Sequence, residues 1–167
     1  CGKQFSFSYA SPRKHLLFFY RQLWYTAICK IMRIREVIPM TDTIAAIATA
    51  LSPSAIGILR LSGPDTKAVL DAVFFPLNDK PMSQQTPRTM VLGHLLDGEG
   101  RVLDSALCVL FPSPGSYTGE DCAEIHCHGS PIVLTEGLKL LLNHGARQAR
   151  GGEFTQRAFL NGRMDLL

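Results

Sequence analysis

The chain has 167 residues, 46% of them hydrophobic and 19% charged, with a formal net charge of +3. This is enough chain for one domain with a core, and the composition lies within the globular range. The positive balance lies wholly in residues 1–39, with seven Lys/Arg against one Glu; residues 40–167 carry ten against thirteen acids, and no cluster that would track a phosphate backbone.

The five cysteines, Cys1, Cys29, Cys108, Cys122 and Cys127, are odd in number and contain no C-x-x-C pair. They predict reduced thiols in a cytoplasmic protein. Residues 1–39 are basic and aromatic-rich, and their apolar run 16–20 is too short and too soon interrupted to be a signal core or a membrane span. They read as upstream sequence ahead of a start at Met40, with a mitochondrial presequence as the alternative.

In the body, residues 43–49 and 56–61 read as short strands, joined by the loop Ala50-Leu51-Ser52-Pro53-Ser54. Pro64-Asp65 opens a helix with Ala68, Val69, Ala72 and Val73 as its apolar stripe, ended by Phe75-Pro76. Residues 76–88 are a proline-punctuated surface connection. Residues 89–96 and 102–111 form a hairpin about Asp97-Gly98-Glu99-Gly100. After the loop Pro112-Ser113-Pro114-Gly115, residues 122–128 are extended. Ser130 caps a helix with Pro131 in its first turn, running to about Asn143, with Ile132, Val133, Leu134, Leu138, Leu141 and Leu142 on its apolar face and Gly145 just past its end. Residues 147–153 are a polar loop and 153–161 a short helix. The order predicts an α+β domain: a mixed or antiparallel sheet with two to three packed helices. The pattern breaks off at Asp165-Leu166-Leu167, so a piece of a longer protein is expected.

The stretch from Ser116 to Ser130 holds three carboxylates, two histidines and two thiols ahead of an apolar helix. On a strand, Cys122, Glu124, His126 and His128 share one face, while Ala123, Ile125 and Cys127 face the core. The polar face fits ligand capture, a metal site or plain solvation, although neither zinc-finger spacing nor H-E-x-x-H is present. A thiol nucleophile is a further reading, but neighbours on one strand make a poor Cys–His pair. Arg60, at the end of an apolar strand, needs an acid or an anionic ligand to be buried there. Residues 153–163, taken alone, are an amphipathic helix. Neither a P-loop nor a G-x-S-x-G elbow occurs.

Five ordered blocks carry a resemblance. They are Asp42-Thr43-Ile44-Ala45-Ala46-Ile47-Ala48-Thr49, Gly57-Ile58-Leu59-Arg60-Leu61-Ser62-Gly63, Ser116-Tyr117-Thr118-Gly119-Glu120-Asp121, Glu124-Ile125-His126-Cys127-His128-Gly129, and the run from Gly152 through Phe154 and Arg163 to Leu166. In order and spacing they resemble the amino-terminal domain of the MnmE (TrmE) family of tRNA-modification GTPases, over residues 41–167.

That resemblance implies a domain over 40–160, similar to the folate-binding domains of aminomethyltransferases, followed at 161–167 by the start of a helical domain. It implies binding of 5-formyltetrahydrofolate or a related one-carbon folate, and formation of a homodimer. It also implies a GTPase domain, with its GTP, Mg and K, that this stretch lacks. Together with the flavoprotein MnmG, such proteins build the aminomethyl-type group at carbon 5 of the tRNA wobble uridine; no membrane is involved. By motif position, the family's folate contacts fall on Arg60, Glu124 and Arg163. Glu124 would pair with the N–H and amino edge of a pterin, and the arginines with carboxylates or the pterin carbonyl. The family's Pro-Pro-Gly-x-Gly-Gly loop is replaced here by Leu51-Ser52-Pro53-Ser54-Ala55, and its Arg-Pro-Gly by Arg150-Gly151-Gly152. Two other readings stand beside this one: a stand-alone one-carbon transferase using Asp104 or Asp121 as acid–base, and a ligand-free dimerisation scaffold.

Overall fold

A computed structural model describes residues 42–164; the leader 1–39, the start at Met40 and the end of the last motif lie outside the described residues. Among the described residues seven strands, β1 (Ile44–Ile47), β2 (Ser54–Ser62), β3 (Phe74–Pro76), β4 (Val91–Leu96), β5 (Val102–Phe111), β6 (Cys122–Gly129) and β7 (Arg147–Gln148), form one sheet in the order β3-β4-β5-β6-β2-β1-β7. Every pairing is antiparallel except β1 with β7, so the sheet is mixed. With the helices α1 (Thr66–Val73), α2 (Pro131–Asn143) and α3 (Glu153–Leu160), the expected α+β class is what the chain adopts.

Alternation sorts the two faces of the sheet. Leu59, Leu61, Leu95, Cys108, Ile125 and Cys127 point to the side covered by α1 and α2, where the core lies. Close approach of α2 explains Gly57: a Cβ there would stand 2.5 Å from Leu134 Cδ1. The opposite face carries Ile56, Arg60, Leu92, Leu107, Glu124, His126 and His128. At one end it is covered by the 112–121 loop and α3; elsewhere Ile56, Leu92 and Leu107 are left exposed.

Several expectations need correction. In α1 the buried stripe is Thr66, Val69, Leu70 and Val73, while Ala68 and Ala72 face outward; alanine fits either side, so the larger Leu70 decides the rotation. The residues expected to end that helix, Phe75-Pro76, instead form the edge strand β3, and the short polar run 147–148 adds as β7. The 76–88 connection includes a 3₁₀ turn, Met82–Gln84, that sends Met82 into the core. In α2 the buried side is Leu134, Gly137, Leu140 and Leu141, and Ile132 is 73% exposed. Ser130 occupies the N-cap position with extended backbone, but its side chain makes no capping bond.

Candidate functional site

The site is built where β2 and β6 run side by side. Arg60 and Glu124 are direct register partners, so their side chains rise from the same face. Arg60 donates from Nε and Nη2 to Glu124 Oε1, at 3.0 and 2.8 Å. His126, two residues on and therefore on the same face, donates from Nε2 to Glu124 Oε2 at 3.1 Å. Burial works against ionisation of Glu124, but the hydrogen bonds from His126 and Arg60 outweigh it and hold the carboxyl below its usual range.

Above this pair the loop between β5 and β6 folds over the sheet. Ser113 Oγ donates to Gly119 O, and Ser116 Oγ to Glu120 O. Gly119 takes a φ of 82°, which lets the loop turn tightly beside Arg163. Tyr117 from this loop and Phe154 from α3 lie over the Arg60 guanidinium, with ring centroids 5.5 and 5.8 Å from Cζ. Beyond α3 the chain turns back: Arg163 donates from Nε to Ser116 O at 3.3 Å, and Asn161 from Nδ2 to Thr118 O at 2.7 Å. Arg60, Glu124 and Arg163, the three residues named from the sequence, thereby line one cavity of about 300 Å³ with Tyr117, Phe111 and Cys122. A second, more open groove of about 590 Å³ is lined by Gly63, Ser113, Glu120, Asp121 and Asn161.

The floor of the cavity is tied to a buried ion cluster. Cys122 Sγ lies 3.0 Å from Thr118 Oγ1, which is 2.7 Å from Ser62 Oγ, and Ser62 donates to Glu120 Oε2 at 2.6 Å. Glu120 in turn pairs with Arg157 of α3, only 3% exposed, which also binds Asp42 at 2.6 Å and Glu153 at 3.3 Å. Arg147 of β7 bridges the same two acids, at 2.6 Å each. Every charged group in the cluster has an opposite partner, with three carboxylates sharing two guanidinium groups. Taken alone, residues 153–163 read as an amphipathic helix and give no sign of this cluster; its members lie up to 115 positions apart, and no local spacing announces them.

The remaining polar candidates are occupied elsewhere. His128 donates from Nδ1 to Asp104 Oδ1 at 2.7 Å, and its backbone N–H bonds the other oxygen. Asp121 receives Lys67 Nζ at 2.7 Å and the Ser113 N–H at 2.8 Å. Neither Asp104 nor Asp121 lines the Arg60 cavity. The two histidines of β6 thus serve different acids, and among the described residues no three His, Cys, Asp or Glu side chains gather in a set that could hold a metal ion. Among the described residues no helix is long and apolar enough to cross a membrane.

A mixed sheet, helix-covered on one side and carrying a charged, aromatic-rimmed cavity on the other, defines an α+β domain. Residues 43–163 match the family described as GTP-binding protein TrmE N-terminus, and the chain belongs to it. Relatives named tRNA modification GTPase MnmE include those of Bacteroides thetaiotaomicron, 49% identical over 126 residues, and Opitutus terrae, 49% identical over 128. The relative of Nitratidesulfovibrio vulgaris is 51% identical over 125 residues. The aligned stretch is 75–77% of this chain but 27% of each relative, so the chain spans about a quarter of their length.

Proposed function

We propose that this domain binds a one-carbon tetrahydrofolate, of the 5-formyltetrahydrofolate kind, in the cavity bounded by Arg60, Glu124 and Arg163. The observation that carries the reading is the convergence on one cavity of three residues from separate parts of the chain. The chemistry of the donor set fits the ligand. A carboxylate offers about four acceptor positions; Glu124 uses two for Arg60 and one for His126, which leaves one for a ligand N–H. Arg60 Nη1 and the terminal nitrogens of Arg163 have no hydrogen-bond partner among the described residues, so they are available to carboxylate or carbonyl oxygens. The volume is at the lower end of the roughly 300–1,000 Å³ typical of ligand pockets, with room for a fused-ring heterocycle. When bound, the folate supplies the one-carbon unit; the protein binds and orients it.

The domain also pairs with a second copy of itself. The apolar side chains exposed on the open sheet face, Ile56, Leu92 and Leu107, support that association. The whole protein is then a cytoplasmic GTPase, using GTP with Mg and K in a part this chain does not span. It acts with a flavoprotein of the MnmG kind on carbon 5 of the tRNA wobble uridine. The names of the relatives support the tRNA-modification and GTPase parts of this setting. Calorimetric titration of the full chain with 5-formyltetrahydrofolate, with light scattering for mass, tests the local claims. One saturable site per chain on a dimer is expected. A folded dimer that takes up no folate overturns the ligand reading; a folded monomer overturns the association.

A further inference from the structure

Arg60 already has a charged partner. Glu124 takes its Nε and Nη2 edge, and an ion pair at a strand junction needs nothing more. Yet two aromatic rings from two other elements are set against the same guanidinium, at 5.5 and 5.8 Å, both within the roughly 6 Å over which a ring face attracts a cation. The two segments that carry the rings are also tied: the Tyr117 hydroxyl lies 3.1 Å from Oγ1 of Thr155, the residue after Phe154. Tyr117 is 45% exposed, so its ring is not placed there by burial in a core. What the arrangement leaves over is Nη1, without a hydrogen-bond partner among the described residues, on a side chain that lines the cavity.

We propose that Tyr117 and Phe154 are positioning residues that clamp the Arg60 guanidinium, holding its Nη1 end ready for an acceptor oxygen of the cavity ligand, with the Tyr117–Thr155 hydrogen bond closing the clamp. This rests on the ligand reading given above. An arginine is long and rich in rotamers, and ordering it at the moment of binding costs affinity; a side chain fixed beforehand by Glu124 on one edge and by rings on its faces avoids that cost. The ring faces also replace water over the cation, which strengthens its attraction for an anion.

The test uses the full chain and a readout that needs no ligand. In ¹H–¹⁵N spectra the Arg60 Nε–H, assigned by its loss in Arg60→Ala, is expected as a slowly exchanging resonance displaced by the neighbouring rings. Tyr117→Leu and Phe154→Leu, which keep apolar bulk but remove a π face, each reduce that displacement; Tyr117→Phe keeps it. Each leucine variant raises the Kd for 5-formyltetrahydrofolate by about 3–10-fold, the scale of one cation–π contact, while the urea midpoint stays at the wild-type value. If a leucine variant loses the midpoint, Thr155→Val, which removes only the hydrogen bond, is read instead, with a smaller rise in Kd expected. Weakened binding with an unchanged Arg60 resonance would mean that the rings touch the ligand themselves, and would overturn the proposal. A released resonance with unchanged Kd overturns it as well. Should the wild type bind no folate at all, the resonance still decides whether the clamp exists, and only the ligand reading is lost.

Discussion

Arg60 and Glu124 meet in direct register across β2 and β6, and two nitrogens of the one fall on a single oxygen of the other. That geometry leaves the second carboxylate oxygen to His126 and to whatever enters the cavity. The pair is therefore both a cross-strand contact and part of the cavity wall. It is part-exposed, so its own contribution to stability is small.

Removing either half should cost binding far more than folding. Glu124→Ala and Arg60→Ala are each expected to weaken 5-formyltetrahydrofolate by about 2–4 kcal/mol, as loss of one partner of a desolvated charged hydrogen bond does, with urea midpoints near wild type. Calorimetry and urea unfolding of the same samples separate the two effects. Unchanged affinity in both variants would end the assignment of this cavity.

Arg157 sets the opposite case. It is buried, holds Asp42, Glu120 and Glu153 together, and fixes α3 against the 112–121 loop. Arg157→Met leaves three carboxylates with one fewer cation among them. A loss of about 3–5 kcal/mol in urea unfolding is expected, the usual cost of breaking a buried pair from one side. A loss under about 1 kcal/mol would mean that Arg147 alone can neutralise the cluster.

How much of this was legible in the sequence depended on whether the signal was local. The β4–β5 hairpin was readable because an Asp-Gly-Glu-Gly turn separates two alternating runs, and β5 fell at its expected bounds. The polar face of β6 was readable for the same reason. The edge strands β3 and β7 were not: with three and two residues they have no period of their own and form only because a neighbour supplies the ladder. The faces of α1 and α2 were misjudged where small or abundant apolar residues fit several rotations; Gly137 is buried because the sheet comes close there, and Ile132 is exposed because it does not. Of the site, the motifs carried Arg60, Glu124 and Arg163. They gave no sign of the ion cluster, whose hydrogen bonds join residues up to 115 positions apart.

Acid should unfold the domain through the same cluster. Burial raises the cost of ionising Asp42 and Glu153, but hydrogen bonds from Arg147 and Arg157 prevail and leave both carboxyls below their ordinary values; Asp121 and Glu124 are lowered likewise by Lys67 and Ser113, and by His126 and Arg60. A carboxylate with a depressed folded value binds fewer protons than in the unfolded chain. Its contribution is therefore complete above the unfolded value of about 4 and is lost as pH falls through the folded one. Urea midpoints should be flat from pH 7 to 5 and drop steeply below about pH 4. In Asp42→Asn that drop should be shallower, from a lower plateau. An acid limb of wild-type steepness in the variant would show that other carboxylates govern it.

The thiols offer a check on the core that is independent of any ligand. Cys108 and Cys127 lie on the helix-covered side of the sheet and are fully or almost fully buried. Burial, and then the charge of Asp104, pushes the Cys127 thiol up to about 12; burial, and then Cys127 itself, pushes Cys108 higher still. Only the thiolate attacks an alkylating agent. At pH 7.5 the reactive fraction of either group is on the order of 10⁻⁴ or less, and access is blocked besides. Iodoacetamide should leave both unmodified in the native protein and should modify both in urea, with peptide mass mapping to tell them from the other cysteines. The native rate should follow opening of the sheet, so Arg157→Met, which destabilises the whole domain, should speed labelling in proportion to its loss of stability. Prompt labelling of Cys127 in the native wild type would show that β6 does not sit beneath α2 in solution.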